Sequence, residues 1–109
     1  MLLIVREKAN KEVLKKVADD LDGYVKVVVD VKRKILAAGG KLHADGEKLL
    51  LQDASKQADL WGAGIDFETD EVDFDSMINL RPGQGNSSRE VLDKDVRKQI
   101  ELIIRGLLR

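Results

Sequence analysis

Between residues 60 and 80, apolar side chains fall at every second position: Trp61, Ala63, Ile65 and Phe67 in one run, then Val72, Phe74, Ile78 and Leu80 in the next, with Ser76 in phase. A period of two puts each set on one face of a strand, and the acidic tip Glu68-Thr69-Asp70-Glu71 between them predicts an antiparallel hairpin. Farther along, the period changes. Val96, Ile100, Ile103, Ile104, Leu107 and Leu108 recur at helical spacing behind Asp93, whose short side chain can cap a helix. Val13, Leu14, Val17, Ala18 and Leu21 do the same behind Asn10, with Gly23 placed to stop that helix. Leu2 to Val5 reads as a short edge strand.

Two segments fit more than one element. In residues 24–38, Val25, Val27, Val29 and Val31 alternate like a strand, while Tyr24, Val27, Val28, Val31, Ile35 and Ala38 mark one helical face. β-Branching favours the strand. The unbroken continuation through residues 32–38 and the stop at Gly39-Gly40 favour a helix, and a helix is the expectation. From Lys41, two short strands flank Asp45-Gly46, a dipeptide suited to a hairpin turn. The order β-α-α-β-β-β-β-α then predicts an α+β fold. It is a single domain over 1–109, with a four-stranded antiparallel meander and a short N-terminal strand, covered on one face by three helices.

With 43% hydrophobic and 36% charged residues and one Pro, the chain has apolar material enough for one core. It contains no Cys and a single His, which excludes disulfides, thiolate metal sites and cysteine nucleophiles, so no metal and no cofactor are expected. No apolar run has the form of a signal peptide or a membrane span, and a cytoplasmic protein is expected. The net charge of −1 hides an uneven distribution: +4 over residues 1–41, −8 over 42–80 and +3 over 81–109. A basic stripe built from the two ends neither implies nor excludes a nucleic-acid partner.

The blocks LHADGEKLLLQDASKQADLWG and DFDSMINLRPGQGNSSREVLD resemble the signature blocks of a family of small prokaryotic proteins known only as a domain of unknown function. The resemblance covers most of the chain and implies no particular activity, cofactor or catalytic residue.

Several residues remain as candidates for chemistry. On the second face of the strand ending at Leu80, Asp75, Asn79 and Arg81 would stand one above the next as a polar row, or as an ordinary solvated face. The loop from Arg81 to Arg89 holds Gly83, Gln84, Gly85, Asn86 and Ser88 between two arginines. Backbone N–H groups freed by glycine, together with guanidinium donors, suit a phosphate or carboxylate. The plainer alternative is a turn in which Gly and Asn supply positive φ and a Ser caps the next helix. The loop is neither a dinucleotide fingerprint nor a Walker loop, because the third Gly and the Gly-Lys-Ser/Thr ending are missing. His43 is the one side chain that ordinarily titrates near neutrality and is a weak candidate base. Lys56 could contact an anion. The acidic run Asp66 to Asp75 lacks the Gly and Glu that a calcium loop requires, and Trp61 reads as core rather than as a stacking platform.

Three functions follow as expectations. The first is a binding module for an anionic small molecule, of phosphate or nucleotide type, at residues 81–89 with Asn79, Asp75 and Lys56. The second is a metal-independent RNA phosphodiester enzyme with His43 as base and Arg81 and Arg89 neutralising the phosphate. The third is a structural protein acting as a homodimer through the apolar stripe of residues 96–108 or an exposed strand edge. A homo-oligomer that spans no membrane is expected.

Overall fold

In a computed structural model describing residues 1–109, both predicted caps are made. Asn10 Oδ1 accepts from the Val13 N–H at 2.9 Å and opens α1 (Lys11–Ala18). Asp93 Oδ1 accepts from Asp95 N–H at 2.8 Å and Val96 N–H at 3.2 Å and opens α3 (Lys94–Leu108). Each cap satisfies N–H groups that a helix leaves without internal partners. α1 ends before Leu21, and turn residues carry the chain to Gly23.

The fold is α+β, with five strands and three helices in the order β-α-β-β-α-β-β-α. The strands are β1 (Leu3–Val5), β2 (Tyr24–Asp30), β3 (Ile35–Ala38), β4 (Leu60–Asp66) and β5 (Val72–Asp73). They form one sheet in the order β1-β3-β2-β4-β5, with every pairing antiparallel. β1 is an edge strand, as expected, and Trp61, Ala63 and Ile65 share one face of β4.

Two expected elements are replaced. Residues 24–38 form the β2–β3 hairpin rather than a helix. β2 is central, and Val25, Val27, Val28 and Val29 are all buried because both of its faces are covered, so the strand reads as a nearly continuous apolar run. Its turn is held by Asp30, whose Oδ1 accepts from the N–H groups of Lys32 and Arg33 at 3.0 and 2.9 Å. Residues 43–52 form a helix, α2 (His43–Gln52), rather than a hairpin. Gly46 is a packing contact here and not a turn: a Cβ there would stand 3.0 Å from Val28 Cγ2 and 3.5 Å from Ala37 Cβ. The absent side chain lets the helix lie close on the sheet.

Helices therefore cover both faces, not one. Val17, Ile100, Ile104 and Leu108 from α1 and α3 pack with Val25, Val27, Val29, Leu36, Ala38, Trp61, Ala63 and Ile65 in a cluster of 14 buried residues. On the other face, Leu50 of α2 packs with Val28, Ile35, Ala37 and Leu60 in a cluster of five. A fully buried Val, Leu or Ile contributes about 1.5–3 kcal/mol relative to exposure, so the larger cluster supplies most of the apolar stabilisation. The α2 face has room for polar groups. No helix is long and apolar enough to cross a membrane.

The strand expected over 72–80 stops at Asp73. Ser76 Oγ accepts from Ile78 N–H at 3.3 Å and starts a 3-10 turn over Met77–Asn79, so the period-two pattern does not extend to Leu80. A second 3-10 turn covers Pro82–Gln84.

Candidate functional site

The α2 face of the sheet has a polar floor because β4 places Gly62 and Gly64 there. Lys26 on β2 lies opposite Gly64, and Val28 opposite Gly62. A Cβ on Gly64 would strike the Tyr24 hydroxyl and come within 2.8 Å of Asp73 Oδ2, so Tyr24 crosses the sheet only because residue 64 has no side chain. There the Tyr24 hydroxyl donates to Asp73 Oδ2 at 2.6 Å. Burial, reinforced by Asp73, pushes the phenol pKa upward and keeps it protonated. Buried Ser76 occupies the equivalent space above Gly62.

Above this floor lies a cleft of about 560 Å³, lined by Tyr24, Lys26, His43, Asp73, Asp75 and Arg89, with Leu42, Ala44, Ser76, Met77 and Ile78 completing the wall. His43 is the first residue of α2, and its Nε2 lies 2.7 Å from the Ala63 carbonyl. A carbonyl only accepts, so Nε2 carries the proton and the neutral ring has its lone pair on Nδ1. Nδ1 has no protein partner and is open to solvent, since no buried side-chain nitrogen lacks one. Burial holds the imidazole pKa below its ordinary value. Lys26 acts in the same direction, while the Ala63 bond and the carboxylates of Asp73 and Asp75 oppose it. The positive end of α2 also favours the neutral ring.

The charges in the cleft differ in their partners. Asp75 Oδ1 receives the Arg89 Nε–H at 3.0 Å in an exposed ion pair. Partly buried Lys26 forms no ion pair. It is the unpaired cation of the cleft.

Of the residues singled out from sequence, His43, Asp75 and Arg89 meet here, and the others do not. Arg81 is held elsewhere. Its guanidinium stacks 4.3 Å over the Trp61 ring and donates to the carbonyls of Ile78 at 3.0 Å, Gln57 at 2.9 Å and Leu60. Burial lowers its pKa, with Glu47 opposing. Asn79 is fully buried against β4, and buried Asn86 donates to the carbonyls of Asn79, Ser88 and Glu90 and accepts from Leu92 N–H.

Within the loop, the N–H groups of Gln84 and Asn86 go to Arg81 O and that of Gly85 to Pro82 O. Gly85 supplies the left-handed φ of +78° that closes the turn, and Gly83 is exposed. The Gln84 side chain donates to Ala58 O at 2.8 Å, and Ser88 Oγ accepts from Glu90 N–H at 3.0 Å. Ser88 thus caps a local turn, and Asp93 caps the helix. Exposed Lys56 precedes the 3-10 turn Gln57–Asp59, away from the cleft wall. The expected row of Asp75, Asn79 and Arg81 is dispersed, because the 3-10 turn rotates each residue to a different partner.

Tyr24 and Lys26 were not singled out from sequence, and Asp73 stood out only as a member of the acidic run. The signal for them was Gly62-x-Gly64 within an alternating strand, since glycine in a strand interior marks a place where another group approaches the backbone.

No curated protein and no solved structure matches this chain. A family model described as "Protein of unknown function (DUF5674)" matches residues 3–107, in agreement with the resemblance of the two sequence blocks. With nearly its whole length inside that match, the chain belongs to this family of proteins of unknown function.

Proposed function

We propose that the protein is a binding module for a small anionic ligand of phosphate type, seated in the cleft over β2 and β4. The observation that carries this reading is Lys26, a partly buried residue that forms no ion pair and lines the cleft near a neutral His43. A lysine ammonium with no carboxylate in contact is free to pair with an anion placed beside it, and a partly enclosed cleft screens such a pair less than open water does. Arg89 adds a second cation at the wall, held in place by Asp75. His43 Nδ1 offers an acceptor for the hydroxyl of a singly protonated phosphate. The ligand class is the one expected from sequence, but its seat is the cleft and not the 81–89 loop, where Arg81 and three backbone N–H groups already have partners.

Calorimetric titration with inorganic phosphate and with adenosine monophosphate tests the reading. Wild type is expected to bind, Lys26→Met to bind at least about tenfold more weakly, and Arg81→Lys to bind as wild type does. Absence of binding, or equal binding by Lys26→Met, overturns it.

A second reading rests on the free Nδ1 lone pair. In an RNA phosphodiester enzyme, His43 would take the proton from a ribose 2′-hydroxyl as that oxygen attacks the neighbouring phosphorus. The bond from phosphorus to the 5′-oxygen would break to leave a 2′,3′-cyclic phosphate, and the protonated ring would return its proton to the departing 5′-oxygen, with Lys26 and Arg89 balancing the charge. RNA left intact by wild type, or cut equally by His43→Ala, removes this reading.

A further inference from the structure

We infer that the cleft prefers an anion carrying an apolar or aromatic body, such as an aryl phosphate monoester, to a phosphate lacking one. This rests on the binding proposal above and narrows its ligand class.

Leu42 and Met77 are 59% and 61% exposed, and both belong to the wall of the cleft. One precedes α2 and the other opens the 3-10 turn after Ser76, so they come from segments far apart in the chain. Their exposure is uncompensated by any core cluster. Two unburied apolar side chains on the wall of a cleft whose floor is polar give it an amphipathic lining. Lys26 and His43 meet charge, and Leu42, Met77 and Ile78 meet carbon. A volume of about 560 Å³ lies within the range of roughly 300–1,000 Å³ typical of sites that enclose whole organic molecules. A lone phosphate would leave most of it to water. Methionine suits such a wall because its unbranched thioether adapts to flat and irregular surfaces alike.

Methyl phosphate and phenyl phosphate carry the same charge and differ in the apolar body, so calorimetric titration with the pair isolates the effect. Phenyl phosphate is expected to bind wild type about tenfold more tightly, equivalent to covering roughly 55 Å² of apolar surface. In the double variant Leu42→Gln/Met77→Gln, the ratio of the two affinities is expected to fall to about one. Both positions are exposed, and an unchanged melting curve checks the fold of the variant. Equal affinities in wild type, or a preference that survives in the double variant, overturn the inference even if Lys26→Met still weakens methyl phosphate. If neither ester binds, the binding proposal itself fails and the inference with it.

Discussion

The side chain of Asn79 pairs with both backbone polar groups of Gly62: Oδ1 accepts from the Gly62 N–H at 2.8 Å and Nδ2 donates to the Gly62 carbonyl at 2.9 Å. An amide side chain thereby does what a neighbouring strand does, at a point of β4 that short β5 does not reach. Its Nδ2 also serves the carbonyls of Phe74 and Arg89, which ties the segment after β5 to the sheet and holds Arg89 at the cleft.

Replacing Asn79 by Ala strands the Gly62 N–H and several carbonyls away from water, and is expected to lower stability by about 2–4 kcal/mol. Asn79→Asp should be at least as damaging, because a buried carboxylate would face carbonyls that need donors. Urea denaturation measures both. A loss below about 0.5 kcal/mol for the Ala variant, the level of an ordinary surface substitution, would show that Asn79 is no brace.

Arg81 is committed to the fold, with its guanidinium held by backbone carbonyls and the Trp61 ring. Arg81→Lys loses the stack on Trp61 and the planar fork that reaches several carbonyls, with an expected loss of about 1–3 kcal/mol. Phosphate affinity measured on the folded variant should be unchanged.

Gly64→Ala brings a methyl group against the Tyr24 hydroxyl and Asp73. The variant should melt at lower temperature and lose the Tyr24–Asp73 bond. In a Tyr24→Ala background the same substitution should do less harm, because its main obstacle is gone. A thermal double-mutant cycle reads the coupling, and strict additivity would contradict the geometry.

His43 makes stability depend on pH in a stated direction. Its folded pKa lies below the ordinary 6.5, so as pH falls through 6.5 the unfolded chain takes up a proton that the folded chain refuses. More protons on the unfolded state means lower stability at lower pH, a loss that levels off below the folded pKa. Chemical denaturation at about pH 8 and about pH 5 should show a larger drop for wild type than for His43→Gln. Equal drops would mean that the ring titrates freely.

Locally encoded elements were legible in the sequence. Asn10 and Asp93 cap their helices with their own side chains, and Trp61, Ala63 and Ile65 repeat at period two beside a single apolar face. These signals need no knowledge of what lies across the core. Gly46 and the valines of β2 carry meanings that depend on their neighbours. Asp-Gly is equally a hairpin turn or a close helix contact, and a valine run is equally a helix face or a strand buried on both sides.

The same division holds at the candidate site. His43, Asp75 and Arg89 stood out by residue type, and so did Arg81, Asn79 and Asn86, whose donors proved to be committed to backbone carbonyls. Side-chain chemistry is written in the sequence, but whether a donor is free depends on what the fold brings beside it. By itself the sequence determined the α+β class, two capped helices, the β4 strand and the family. Only the tertiary structure decided that the residues after β5 turn instead of pairing and that Tyr24, Lys26 and Asp73 join His43 over two glycines. The physical reason is that strand register and close approach are set by contacts between segments far apart in the chain.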